Sequence, residues 1–201
     1  DPSYAMFPVY AQMFGGKAVL VPYNSDVELD NESLLNSVTP GVKLVMLANP
    51  NQPTGTLLDE GILREVIDRA ATVNALVVMD EAYYPISRVT ALPWLDTYPN
   101  LLVTRTFSKA AGLAGLRLGF VAGNSEVITN LYKVRPVNDL NSMSIVCALE
   151  ILKHPEIIED YLVQIEEGKR LLISKLEGLG LKVLPTYANF VLIRVAHRCQ
   201  P

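Results

Sequence analysis

Three apolar runs constrain this chain more than anything else in it. They are Val42–Ala48 (VKLVMLA), Ala75–Met79 (ALVVM) and Leu101–Val103 (LLV). Short, nearly continuous runs of Val, Leu and Met bounded by turn residues read as strands of a parallel sheet buried on both faces. Between the first two, Ile62, Leu63, Val66, Ile67 and Ala70 recur at helical spacing over about residues 59 to 72. A polar loop with Pro85, Pro93 and Pro99 leads to the third. Strand, helix, strand, loop, strand predicts an α/β fold, a mostly parallel sheet with helices on both faces. Each run ends in polar chemistry: Asn49-Pro50-Asn51-Gln52-Pro53-Thr54-Gly55, then Asp80-Glu81-Ala82-Tyr83-Tyr84, then Thr104 to Lys109 (TRTFSK). Open α/β sheets bind ligands outside the carboxyl ends of their strands, so these three groups are expected on one edge.

The third group carries the sharpest signal. Lys109 follows the hydroxyls of Thr106 and Ser108 and precedes Ala110-Ala111-Gly112-Leu113-Ala114-Gly115, a small and apolar stretch without a second ammonium. A lysine so placed is open to desolvation, which lowers its pKa and makes the amine a nucleophile. Arg117 follows, and its fork with the Thr106 and Ser108 hydroxyls suits a phosphate. Asp80 comes directly after Val77-Val78-Met79, so it is a partly buried carboxylate that calls for a cationic partner such as a protonated pyridine nitrogen. Taken singly, a loop lysine or arginine is ordinarily a solvated charge. The three strand ends together change that reading.

The flanks are organised differently. Residues 5 to 14 read as a short helix broken near Pro8 or starting beside it, Lys17–Tyr23 as a strand, and Asp30-Asn31-Glu32 as the start of a helix through Val38. Leu118–Ala122 reads as a further strand, and Asn124-Ser125 caps a helix to about Arg135. Beyond Pro136, residues 141 to 153 and 155 to 177 have helical periodicity, Gly178 and Gly180 close the second helix, and Leu181–Leu184 and Asn189–Val195 read as strands. The expected division is residues 1–136 as a large domain and 137–201 as linking helices plus the start of a small α+β domain. The turn-like opening Asp1-Pro2-Ser3-Tyr4 and the two final strands, too few for a domain, predict that both ends are truncated.

Composition removes several function classes. The 201 residues are 50% hydrophobic with a formal net charge of -4 and no basic run, which argues against a nucleic-acid partner. No apolar run reaches membrane-spanning length, and no signal peptide opens the chain. Cys147 and Cys199 have no metal-ligand spacing and fit reduced thiols in a cytoplasmic protein, and with His154 and His197 alone a histidine-based metal site is not expected.

The set Asn-Pro-Asn-x-Pro-Thr-Gly, Asp-Glu-Ala-Tyr, Ser-Lys and a downstream arginine resembles the pyridoxal-phosphate-dependent aminotransferases of fold type I, class I/II, and most of all the histidinol-phosphate aminotransferase subgroup. The likeness runs from Pro2-Ser3-Tyr4 to Ala188-Asn189-Phe190. It implies that Lys109 forms a Schiff base with pyridoxal 5'-phosphate and shuttles a proton, that Asp80 pairs with the pyridinium nitrogen, and that Tyr83 hydrogen-bonds the ring's phenolic oxygen. It further implies that Tyr4 stacks on the ring, that Thr106, Ser108 and Arg117 hold the phosphate, and that Asn189 lies near the substrate. The family residue before Pro-Thr-Gly is commonly asparagine, which bonds the phenolic oxygen. Here it is Gln52, so either Gln52 or Asn51 makes that contact. The family's glycine-rich phosphate loop would precede Asp1, and its carboxylate-binding arginine would lie past Pro201. Arg194 and Arg198 do not match that arginine's context.

By this resemblance the partners are an amino acid donor and a keto acid or aldehyde acceptor, and the assembly is a homodimer. Two other readings stand beside it. A related decarboxylase of a phosphorylated amino acid would use the same Lys109 and Asp80, because the cofactor carries the chemistry and the substrate contacts choose the bond. A core fragment without turnover is the other, favoured by the expected truncation.

Overall fold

The computed structural model describes residues 1–195. His197, Arg198 and Cys199, singled out above, lie outside the described residues. In chain order the elements are α1 (Met6–Met13), α2 (Asn31–Ser37), β1 (Leu44–Ala48), α3 (Glu60–Thr72), β2 (Leu76–Asp80), α4 (Tyr84–Ser87), β3 (Leu101–Thr106), β4 (Gly119–Gly123), α5 (Ser125–Val134), α6 (Ser142–Lys153), α7 (Pro155–Gly178), β5 (Lys182–Val183) and β6 (Ile193–Arg194). Short 3-10 turns occupy Leu92–Trp94 and Ala114–Leu116.

The helix starts follow from local chemistry. Asp30, Asp59, Asn124 and Asn141 accept hydrogen bonds from the backbone N–H of Glu32, Gly61, Glu126 and Ser144, each satisfying a donor that the first turn leaves free. Such a cap is worth about 1 kcal/mol. Pro8 sits in the first turn of α1, where its missing N–H costs nothing, so the helix runs through it.

The main sheet has the order β1-β2-β3-β4. β1 and β3 both pair parallel with β2, through Ala48 opposite Asp80 and Asp80 opposite Thr104. The carboxyl ends of the three expected strands are therefore level. In β2 burial alternates, with Val77 and Met79 buried and Leu76, Val78 and Asp80 partly so. Val77, Met79, Leu101 and Val103 form one core with Leu63, Val66, Ile67 and Ala70 of α3 and with Leu34 and Val38. The helical stripe read from the sequence is the face that covers the sheet.

β4 pairs antiparallel with β3. A parallel return would need a crossover, usually a helix. The connection here is spent on the turn holding Lys109 and on one 3-10 turn, so the chain comes straight back. Gly119 permits this return, since a Cβ there would stand 2.6 Å from the Arg105 carbonyl oxygen.

Two expected strands are corrected. Lys17–Tyr23 forms no strand: Val19 and Leu20 are exposed, and its backbone pairing among the described residues is confined to its end, a bridge between Tyr23 and Leu29 and hydrogen bonds of Val21 and Tyr23 with Asp1. An apolar run supplies side chains for a strand but not the neighbour that must take its backbone hydrogen bonds. The strand expected at Asn189–Val195 shrinks to Ile193–Arg194. Just before it, Tyr187 N–H donates to the Gly55 carbonyl at 2.8 Å and Ala188 N–H to Thr186 Oγ1 at 3.2 Å, so that backbone is tied into a loop. No helix of the described residues is long and apolar enough to cross a membrane.

Candidate active site

The site begins with Asp80, the last residue of β2. Its Oδ1 accepts the Ala82 N–H at 3.0 Å. Burial is the main influence on this carboxyl and pushes its pKa up from 3.8. The hydrogen bonds from Ala82 and Thr104 and the more distant Lys109 ammonium oppose that, while the charge of Glu81 adds to it. Asp80 is thus a desolvated carboxylate served by neutral donors, with Lys109 the weakest of its stabilising influences.

Tyr83 caps the start of α4 and is buried. Its hydroxyl donates to Gln52 Oε1 at 3.2 Å, and its ring meets Phe190 edge-on with centroids 5.4 Å apart. Lys109 Nζ lies 5.3 Å from the centroid of the same ring. The ends of β1, β2 and β3 therefore meet at Tyr83, which Gln52 touches from the first and Lys109 approaches from the third.

Asn51 and Gln52 differ in their hydrogen bonding. Asn51 is buried; its Nδ2 donates to the Pro2 carbonyl at 3.0 Å and to Thr54 Oγ1 at 2.8 Å, and its Oδ1 accepts from Ser3 Oγ at 2.6 Å. Its amide is used within the protein, to shape the loop and anchor the N-terminal segment. Gln52, with its longer side chain, makes the contact to Tyr83. Asn51 thus builds the loop, while Gln52 is the residue that meets Tyr83. Its bonds to Pro2 and Ser3 hold Tyr4 near the loop, where Tyr4 is 38% exposed and packs edge-on against Phe7 at 5.4 Å.

The three residues expected at a phosphate are drawn into one turn. Thr106 Oγ1 accepts the Ser108 N–H at 3.0 Å and donates to the Leu118 carbonyl at 3.3 Å. Phe107 N–H donates to the Leu118 carbonyl at 3.1 Å, which brings the backbone at Arg117 and Leu118 back beside Ser108. Arg117 has left-handed backbone angles, φ 52° and ψ 45°, and is exposed; its Nη1 donates to the Ala114 carbonyl at 3.1 Å. The structure thus places Thr106 in a turn-shaping role and leaves the Arg117 guanidinium on the surface.

Asn189 is exposed and lines a cleft of about 250 Å³ with Tyr161, Lys169 and Phe190. The segment before it is locked to the β1 loop. Gly55 has φ +74°, and a Cβ there would fall 2.3 Å from Thr186 Oγ1. This close approach brings Phe190 onto Tyr83, a contact the sequence reading did not foresee.

Sequence reasoning also missed Glu81 and Arg105. Glu81 is 1% exposed, and its Oε2 lies 2.9 Å from Arg105 Nη2. Thr90 Oγ1 donates to Oε2 at 2.8 Å and Ala91 N–H to Oε1 at 2.5 Å. The one available signal was an acid and a base placed one residue beyond the paired ends of neighbouring strands.

Against known proteins, the family description "Aminotransferase class I and II" matches residues 1–198. The chain belongs to the class I and II aminotransferases. This family depends on pyridoxal phosphate, and the relatives the chain matches are named as aminotransferases. Among curated class I and II aminotransferases, the chain is 38% identical to a histidinol-phosphate aminotransferase of Caldanaerobacter subterraneus over 194 residues, 96% of this chain and 54% of that protein. It is 36% identical to histidinol-phosphate aminotransferase 1 of Idiomarina loihiensis, covering 96% of this chain and 53% of the relative. The chain spans about half the length of the curated relatives it matches. The crystal structure of the Sinorhizobium meliloti histidinol-phosphate aminotransferase in complex with pyridoxal-5'-phosphate superposes with a TM-score of 0.82 at 30% identity, over 95% of this chain and 52% of that one. The Clostridium acetobutylicum histidinol-phosphate aminotransferase shares the fold, with a TM-score of 0.90 at 24% identity over 98% of this chain and 60% of that one.

Proposed function

We propose that this chain carries the catalytic lysine and the ring contacts of a pyridoxal-phosphate-dependent aminotransferase of the histidinol-phosphate aminotransferase kind. The observation that carries this is the meeting of Asp80, Tyr83 and Lys109 at level strand ends. The donor set fits the cofactor. A desolvated carboxylate with neutral donors would gain a charge-matched partner in a protonated pyridine nitrogen, and the hydrogen-bonded pair of Tyr83 and Gln52 supports the proposed contact to a phenolic oxygen.

When bound, pyridoxal phosphate supplies an electron sink that stabilises negative charge at the substrate carbon. Asp80 keeps the ring nitrogen protonated. Lys109 Nζ would hold the cofactor covalently, and its amine would move the proton on the substrate carbon. Tyr83 and Gln52 orient the ring from the side of its phenolic oxygen. Tyr4 would cover the ring face, Thr106, Ser108 and Arg117 would receive the phosphate, and Asn189 would face the substrate. The relatives named above are aminotransferases, which favours transfer of an amino group from an amino acid to a keto acid or aldehyde over decarboxylation. A cytoplasmic homodimer, with the large domain ending near Pro136, belongs to the same reading.

A visible absorbance spectrum with pyridoxal phosphate tests it. Wild type is expected to develop a lysine-bound cofactor band that borohydride fixes and that Lys109→Ala lacks. A band of equal strength in both would remove Lys109 from its role.

A further inference from the structure

The rung at which Asp80 stands opposite Thr104 is the last registered pair of β2 and β3. The ladder nevertheless continues, because Glu81 N–H donates to the Thr104 carbonyl at 2.9 Å. Side chains alternate along a strand, so Asp80 and Thr104 stand on one face while Glu81 and Arg105 stand on the other. The second face holds a closed polar cluster. Arg105 Nε and Nη2 reach Glu81 Oε2 at 3.0 and 2.9 Å, Nη2 donates to Thr90 Oγ1 at 2.7 Å, and the guanidinium lies 3.3 Å from the centroid of the Tyr84 ring. A buried ion pair with every oxygen served is expensive to assemble and costs far more when one partner is lost.

We propose that Glu81 and Arg105 are positioning residues for Asp80: the pair fixes the β2 end from the opposite face and neutralises a carboxylate that otherwise stands beside the one meant for the cofactor. The proposal rests on the reading of Asp80 given above. The charged groups acting on Asp80 are Glu81 from its own strand, which raises its pKa, and Lys109 from the turn after β3, which lowers it; Ala82 and Thr104 contribute hydrogen bonds. With Arg105 paired to it, the Glu81 charge raises the Asp80 pKa less than a lone carboxylate there would. Without it, two uncompensated carboxylates occupy adjacent positions, and Asp80 holds its proton to higher pH. A protonated Asp80 is no partner for a pyridinium.

The test is the titration of Asp80 in the intact, cofactor-free chain, read by carboxyl carbon-13 NMR on aspartate-labelled protein. Because it needs no cofactor, it succeeds or fails apart from the assignment of function, which the Lys109 spectrum tests. R105M is expected to raise the Asp80 midpoint by about one pH unit, and E81Q to lower it. R105K, which keeps the charge, is expected to stay near wild type, and E81Q/R105M to cancel the rise seen in R105M. A purely structural role would lower the melting temperature of these variants and leave the Asp80 midpoint in place. An unmoved midpoint in folded E81Q and R105M overturns the proposal. If R105M does not fold, an unmoved midpoint in E81Q alone overturns it.

Discussion

Asp80 shows how one residue can be costly to the free protein and useful to the loaded one. Folding raises its pKa above 3.8, chiefly by burial, so the folded chain binds that proton more tightly than the unfolded chain does. Its contribution to stability is complete below about pH 3.8 and is lost as pH rises through the folded-state value. At neutral pH the ionised carboxylate is a net cost to the cofactor-free protein. Asp80→Asn keeps an oxygen for the Ala82 N–H and removes the charge. We expect it to melt about 2–4 °C above wild type at pH 7, the shift that ~1 kcal/mol produces in a chain of this size. The difference should vanish near pH 3.8, and differential scanning calorimetry across pH checks both. Pyridoxal phosphate should reverse the order, stabilising wild type more than the variant. A variant that melts lower at pH 7 without cofactor would contradict the account.

The loop after β1 is where local geometry becomes site geometry. Asn51 ties it to Pro2 and Ser3, Gln52 reaches Tyr83, and Gly55 lets residues 186 and 187 approach. Gly55→Ala places a methyl group 2.3 Å from Thr186 Oγ1 at φ +74°, a conformation that alanine resists. A loss of about 1–3 kcal/mol is expected, read as a lower midpoint in urea. Because Phe190 rides on the displaced segment, tyrosine fluorescence should also change as Tyr83 loses its edge contact. An unchanged urea midpoint would mean that the two segments are not held together as described.

At the scale of the molecule, stability is unevenly distributed. The core joins α2 and α3 to β1, β2 and β3, with Val66, Ile67, Val77 and Val103 wholly enclosed. The helices α5 to α7 contribute few buried residues, among them Ser144, Ala148 and Leu162, and leave Val134, Met143, Val146 and Leu152 exposed. Opening free energy follows buried contact, so hydrogen exchange should be slowest in β2, β3 and α3 and clearly faster in α5 and α6. Ile67→Ala should cost about 2–5 kcal/mol and speed exchange throughout the sheet. Equal protection of α6 and β2 would refute this picture.

Much of this was legible along the chain. Runs of Val and Leu ending in polar clusters fixed three strands and their common edge, because burial and turn chemistry are written locally. The helical stripe from Ile62 to Ala70 marked the covering face for the same reason, and the four motifs in order marked the family. The tertiary structure alone decided the rest. Lys17–Tyr23 has strand composition but no neighbour in the sheet, β4 turns antiparallel because its connection holds no crossover helix, and Asn51 is consumed by bonds to Pro2, Ser3 and Thr54 so that Gln52 meets Tyr83. Glu81 with Arg105, and Phe190 with Tyr83, join residues 24 and 107 positions apart. A sequence states what each residue can do locally; which distant group takes up that capacity is settled only when the chain has packed.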